Sequence, residues 1–122
     1  MRRHKNLYFE IASFQNLLKA ACLAQRCKRF KTPTARFNFQ LEQELWKLHA
    51  ELTEKRYTPG RYRHFLIFEP KKRTISAAPY RDRVVHHAIH NVLGPIFDAT
   101  FIHDSYATRH EKGTHAAIDQ FQ

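Results

Sequence analysis

The chain is poor in glycine, cysteine and acid. Its three glycines, Gly60, Gly94 and Gly113, stand far apart, so no Gly-rich run exists that could wrap a phosphate in backbone amides. The two cysteines, Cys22 and Cys27, fall in a stretch that reads as helix. Five residues apart on a helix they point to different faces, so an internal disulfide is not expected, and a reducing, cytoplasmic setting fits. No apolar run approaches the ~20 residues of a membrane-spanning helix. The opening MRRHKNLYFEIASF has no apolar core of the kind a secretory signal needs. Also missing are a Ser/His/Asp arrangement and a pair of carboxylates in the apolar strand context of a two-metal phosphoryl-transfer site.

The shortage of acid is the most informative. Eleven Asp and Glu stand against 21 Lys and Arg in 122 residues, for a net charge of +10 and a pI of about 10.0. An excess of this size in a short chain is the electrostatic footprint of a partner that is a polyanion, most often nucleic acid. A merely basic protein with no such partner is the alternative. The 43% hydrophobic and 13% aromatic content is enough for one core and excludes a disordered tail.

Leu7, Ile11, Phe14, Leu17, Leu18 and Ala21 recur at helical spacing, which predicts one helix over about 6–27. KRFKTPTARF then interrupts the pattern with Pro33 and a burst of charge. Leu41, Leu45, Leu48 and Leu52 mark one face of a second helix over about 38–55, with Asn38 as its N-cap and Glu42 and Glu44 in the opening turns. RYRHFLIFEP and RTISAAP read as two short strands of a hairpin, separated by Lys71, Lys72 and Arg73 at its tip. Asp82 sits at the start of a third helix with a wide apolar stripe from Val84 to Phe97, kinked or split by Gly94-Pro95. A polar loop, HDSYATRHEKG, leads to a last helix capped by Thr114. The expected fold class is α+β, mostly helical, with a short β-hairpin. The expected division is an N-terminal helix and linker over 1–37 and a second portion over 38–122.

Four stretches carry candidate chemistry. Three adjacent cations, Lys71, Lys72 and Arg73, repel one another unless solvent or an anion screens them, and a triphosphate is a suitable anion. A solvated turn is the plainer reading. Arg81 and Arg83 flank Asp82 near a helix start, where the macrodipole disfavours cations. A negatively charged ligand or a carboxylate elsewhere in the fold would account for them, and Asp82 itself reads as a cap with a local arginine partner. His86 and His90 are four apart on one helical face, but no Glu sits where an HExxH zinc site places one, and no metal site is assigned. In SYATRHEKGTHAA, Gly113 precedes a helix start with free amides, Arg109 and Lys112 add charge, and Tyr106 offers a stacking face.

In this order and at this separation, RTISAAPYRDRVVHHAIHNVLGPIFDATFIHDSYATRHEKGTHAAID resembles the early blocks of bacterial retroelement reverse transcriptases, of the diversity-generating retroelement branch and its group II intron relatives. The resemblance is strong from about Tyr62 to Gln122 and looser back to the Leu41 helix. It implies the fingers subdomain of a right-hand polymerase, an RNA-directed DNA polymerase. By motif position, Lys71 and Arg73, with Lys72 as a substitute, would contact the triphosphate of the incoming dNTP. Arg109, Lys112 and Gly113 would help hold the RNA template, with Arg81, Arg83 and Tyr106 on the same nucleic-acid side. No catalytic residue falls in this segment, and Asp119 does not match the family's first palm aspartate. The resemblance places the catalytic carboxylates and their two Mg2+ ions in a palm after residue 122, so this chain is expected to be an N-terminal piece, inactive alone. Primer DNA, a retroelement accessory protein and a homodimer through an exposed palm-facing apolar surface are the further partners it implies. A non-catalytic nucleic-acid-binding module and a small metal-dependent nuclease are the competing readings.

Overall fold

Ser13 stops the first helix where the apolar periodicity would carry it on. Its backbone is extended, its hydroxyl donates to the Glu10 carbonyl at 2.8 Å, and the same oxygen accepts from Asn16 N at 3.3 Å. A serine that satisfies one orphan donor of a new helix is an N-cap. The single helix expected over 6–27 is therefore two, α1 (Leu7–Ala12) and α2 (Phe14–Ala24). This computed structural model describes residues 3–121.

The remaining elements are α3 (Thr32–Phe39), α4 (Leu41–Thr53), strands β1 (Arg63–Ile67) and β2 (Arg73–Ala77), α5 (Tyr80–Asp98) and α6 (Thr114–Phe121). Among the described residues the architecture is thus α+β and mostly helical, six helices with one two-stranded antiparallel hairpin. None of these helices is long and apolar enough to cross a membrane.

Pro33 starts a helix instead of only interrupting one. It lies in the first turn of α3, where its missing N–H is one that no intrahelical carbonyl would have used. Asn38 is correspondingly not the cap of α4. It lies within α3, and its side-chain amide donates to Gln25 Oε1 at 2.9 Å, tying α3 to the turn after α2. Gln40 precedes α4 and makes no side-chain cap. Residues 37 and 38, where the sequence suggested a boundary, both lie inside α3.

The chain forms two compact units that divide between Val92 and Leu93. In the first, α2 buries Leu17, Ala20, Ala21 and Ala24, an i, i+3, i+4, i+7 face, and α4 buries Leu45, Leu48 and Leu52. Tyr80, Val84, Val85 and Ala88 of α5 join the same cluster. Each fully buried Leu contributes about 1.5–3 kcal/mol relative to exposure, so Leu17, Leu45 and Leu48 anchor this core. Polar bonds fix its register. Asn16 donates to the carbonyls of Ile11 and Ala88, both at 3.0 Å, and accepts from Asn91 Nδ2 at 3.1 Å. His49 Nδ1 lies 2.7 Å from the Ala12 carbonyl, and the Tyr8 hydroxyl donates to Leu52 O.

The second unit holds the end of α5, the loop 99–113 and α6. Pro95 lies within α5, which is not split there. α6 buries no residue, and Phe97, Phe101, Ile102, Ile118 and Phe121 all expose large apolar surface.

Candidate nucleotide and nucleic-acid interface

The hairpin pairs Arg63 with Ala77, Phe65 with Ile75 and Ile67 with Arg73. Side chains alternate along a strand, so Arg63, Phe65, Ile67, Arg73, Ile75 and Ala77 share one face, and His64, Leu66, Thr74 and Ser76 the other. Arg73 is therefore the first residue of β2, one strand position inside the tip, and the turn is the segment 68–72 in place of the expected Lys71–Arg73. Tyr62, Phe65, Leu66 and Phe68 remain exposed alongside the cations.

Lys71, Lys72 and Arg73 are all exposed, and among the described residues none has a carboxylate partner or a side-chain hydrogen bond. Arg63, outside the four stretches that the sequence marks, has its guanidinium 5.6 Å from the Phe65 ring centroid. The signal was the i, i+2 spacing on a strand, which puts cation and ring on one face.

Both ends of the hairpin converge on the start of α5. Asp82 is buried and accepts from the Tyr57 hydroxyl at 2.5 Å and from Gly60 N at 2.8 Å. It therefore neither caps α5, which begins at Tyr80, nor pairs with an arginine. A Cβ on Gly60 would stand 2.8 Å from Pro79 Cγ, so the backbone leading into β1 passes hard against the residue that precedes α5. Burial, then the bond to Asp82 and its charge, push the Tyr57 phenol well above its ordinary pKa of 10.0. The hydroxyl stays a donor at any neutral pH.

The arginines near the helix start have partners within the fold. Arg81 Nη2 lies 2.7 Å from Glu51 Oε2, and its guanidinium is 6.0 Å from the centre of the Tyr57 ring. Arg83 Nε donates to the Ala78 carbonyl at 3.0 Å. A carboxylate on α4 thus supplies the negative charge that the sequence left open. His86 and His90 are exposed, and no group of three metal-ligating side chains forms among the described residues.

In the second unit Arg109 organises the loop. Its Nε donates to Asp98 Oδ1 at 2.7 Å, Nη1 to the Ile102 carbonyl at 3.0 Å and the Ser105 carbonyl at 3.2 Å, and the group lies 5.7 Å from the Phe101 ring centroid. Thr108 and Glu111 beside it hold φ of 58 and 59, uncommon for non-glycine residues and costing about 1–3 kcal/mol each. The arginine bonds help to hold that backbone. Lys112 donates to the His103 carbonyl with its ammonium 5.3 Å from the Tyr106 ring centroid. Thr114 is the first residue of α6 and not its cap. Gly113 O accepts from Ala117 N, and a Cβ at Gly113 would meet nothing within 4 Å.

The chain matches no known protein-family model and no curated protein.

Proposed function

We infer that this chain is the fingers portion of a retroelement-type RNA-directed DNA polymerase, and that the tip of its hairpin receives the triphosphate of an incoming deoxynucleotide. One observation carries the reading. Lys71, Lys72 and Arg73, the cations that the motif order assigns to the triphosphate, are exposed and lack carboxylate partners among the described residues. A triphosphate supplies the missing counter-charge, Arg73 gripping oxygens in a fork while the lysines act as point charges. The role is electrostatic positioning, with no proton transfer asked of these residues.

In the second unit the reading gives the template to Lys112, Tyr106 and the backbone at Gly113, with Arg109 as the brace that shapes the loop. Arg81 and Arg83 support the interface by holding the start of α5. RNA template, primer DNA and dNTP are the partners, in a cytoplasmic setting, with an accessory protein of the retroelement as a further one. The exposed apolar residues of the second unit suit a palm or a second copy. The reading assigns Mg2+ to palm carboxylates. The described residues offer no converging set that fits the ion.

The exposed rings Tyr62, Phe65 and Phe68 beside the hairpin cations favour a second reading, a non-catalytic nucleic-acid-binding module, since bases stack on such faces. The deciding experiment is Arg73→Ala in the polymerase carrying this segment. The expected result is a rise in KM for dNTP that exceeds any loss of template affinity. Equal loss of both refutes the triphosphate role. On the chain itself, oligonucleotide binding that falls steeply with salt and ignores added dNTP supports the module instead.

A further inference from the structure

Between Glu10 and Glu42 the sequence carries Lys19, Arg26, Lys28, Arg29, Lys31 and Arg36 and no carboxylate at all. This is the longest acid-free stretch of the chain, and the function proposed above does not use it. Among the described residues none of these cations forms an ion pair. All except Lys28, which is half-buried, are exposed.

The cations are held on an ordered scaffold. The connection between α2 and α3 winds through successive turns, with Arg26 N bonded to Leu23 O, Lys28 N to Gln25 O and Lys31 N to Lys28 O. The Gln25–Asn38 side-chain bond clamps this connection to α3. On α3 the buried residues are Thr34 and Phe37. At 3.6 residues per turn, Arg36 and Phe39 fall on the opposite, outward side. Both are exposed, and Phe30, in the turn beside Arg29 and Lys31, is fully exposed. Two bare aromatic faces thus stand among partnerless cations, on a segment fixed by backbone and side-chain bonds.

We propose that the α2–α3 turn and the outer face of α3 form a binding surface for single-stranded nucleic acid, with Arg26, Arg29, Lys31 and Arg36 on the phosphates and Phe30 and Phe39 stacking on bases. The aromatic rings decide the class of partner. Cations alone suit any polyanion, whereas unpaired bases are the polyanion component with flat faces for Phe30 and Phe39, and a duplex keeps those faces stacked inside. The surface is separate from the hairpin and stands whether or not the triphosphate reading does.

The test uses the 122-residue chain and fluorescently labelled oligonucleotides of about 15 nucleotides, U-rich RNA, T-rich DNA and a duplex of equal length, titrated between roughly 50 and 200 mM salt. The quadruple variant Arg26→Gln, Arg29→Gln, Lys31→Gln, Arg36→Gln changes only exposed side chains, and circular dichroism checks its fold. It is expected to bind single strands at least about tenfold more weakly near 0.1 M salt, with the salt slope shallower by roughly 0.7 for each phosphate that the variant no longer neutralises. Phe30→Ala with Phe39→Ala is expected to weaken single-strand binding and leave duplex binding unchanged. Comparing the RNA and DNA arms tells which strand is preferred. The matching variant of Lys71, Lys72 and Arg73 reports on the hairpin alone, so failure of one site is distinguishable from failure of the other. An unchanged affinity and slope in a folded quadruple variant overturns the proposal. So does equal weakening of duplex and single-strand binding in the phenylalanine variant. Sedimentation with phosphatidylglycerol-containing vesicles, with no oligonucleotide affinity, would also overturn it.

Discussion

Removing the Asp82 carboxylate should loosen the base of the hairpin and cost a measurable part of the stability of the first unit. Asp82 accepts two bonds, from the Tyr57 hydroxyl and from Gly60 N. Hydrogen bonds to a charged group contribute about 1.5–3 kcal/mol each, and leaving a buried partner unmet costs about 1–3 kcal/mol. Tyr57 is half-buried and Gly60 exposed, so water recovers part of the loss, most of it at Gly60. The expected destabilisation for Asp82→Ala is therefore about 2–4 kcal/mol, and about half that for Asp82→Asn, which keeps one carbonyl acceptor. Urea unfolding followed by far-UV circular dichroism reads the shift in midpoint. Tyr57→Phe should cost about 1–2 kcal/mol, and the double variant should show a coupling near ~1 kcal/mol, because the two side chains share one bond. A loss below about 0.5 kcal/mol for Asp82→Ala, or strict additivity with Tyr57→Phe, would refute the assignment of this carboxylate as the clamp.

The same bond predicts an alkaline signature. The folded phenol of Tyr57 titrates above the unfolded value of 10.0. Its contribution to stability is complete below that value and is lost as pH rises toward the folded pKa, because only the unfolded state releases the proton there. Wild type should lose stability above about pH 10 more steeply than Tyr57→Phe. Parallel profiles would count against the Tyr57–Asp82 bond.

Arg109→Lys keeps the charge and discards the fork, and it is expected to loosen the 99–112 loop nearly as much as Arg109→Ala, by about 1–3 kcal/mol; amide exchange across that loop measures it, and full protection in the lysine variant would show that the positive charge alone suffices. Burial first, then the neighbouring His90, Lys28 and His86, hold the His87 pKa below its ordinary 6.5, so its stabilising contribution is complete above that value and is lost as pH falls and the unfolded state takes up the proton. His87→Gln should therefore flatten the decline of thermal midpoint on acidification from pH ~6.5, and an unchanged decline would place the acid sensitivity elsewhere.

The helical part of this fold was legible where periodicity was strong. Leu41, Leu45, Leu48 and Leu52 read as one face, and the last three are buried together with Leu41 half-buried against them. The strands were legible from composition and their closing residues. What the sequence concealed depended on short polar bonds. Ser13 divides α1 from α2 with one hydroxyl, which no apolar pattern displays. Asn38 looked like a cap because it precedes Glu42, but its amide is taken by Gln25, thirteen residues back. Long-range pairs of this kind cannot be read from spacing. The interface shows the same limit. Charge density marked Lys71, Lys72 and Arg73, whose exposure the structure shows, and it equally marked Arg81 and Arg109, whose partners Glu51 and Asp98 lie thirty and eleven residues away.

That contrast separates two kinds of cation that look alike in sequence. Arg81 and Arg109 each meet a carboxylate within the fold, and Arg83 a backbone carbonyl. Their positive charge is already balanced or directed inward, so substituting them damages the scaffold first and binding only as a consequence. Lys71, Lys72 and Arg73 have no such partner among the described residues, and their mutual repulsion at the end of the hairpin is moderated by water, salt and the exposed Glu69 in the same turn. An arriving polyanion removes that repulsion and adds its own attraction, so the tip gains from binding twice. Neutralising the tip should then leave stability unchanged or raise it slightly while weakening anion binding, the opposite of what neutralising Arg109 does.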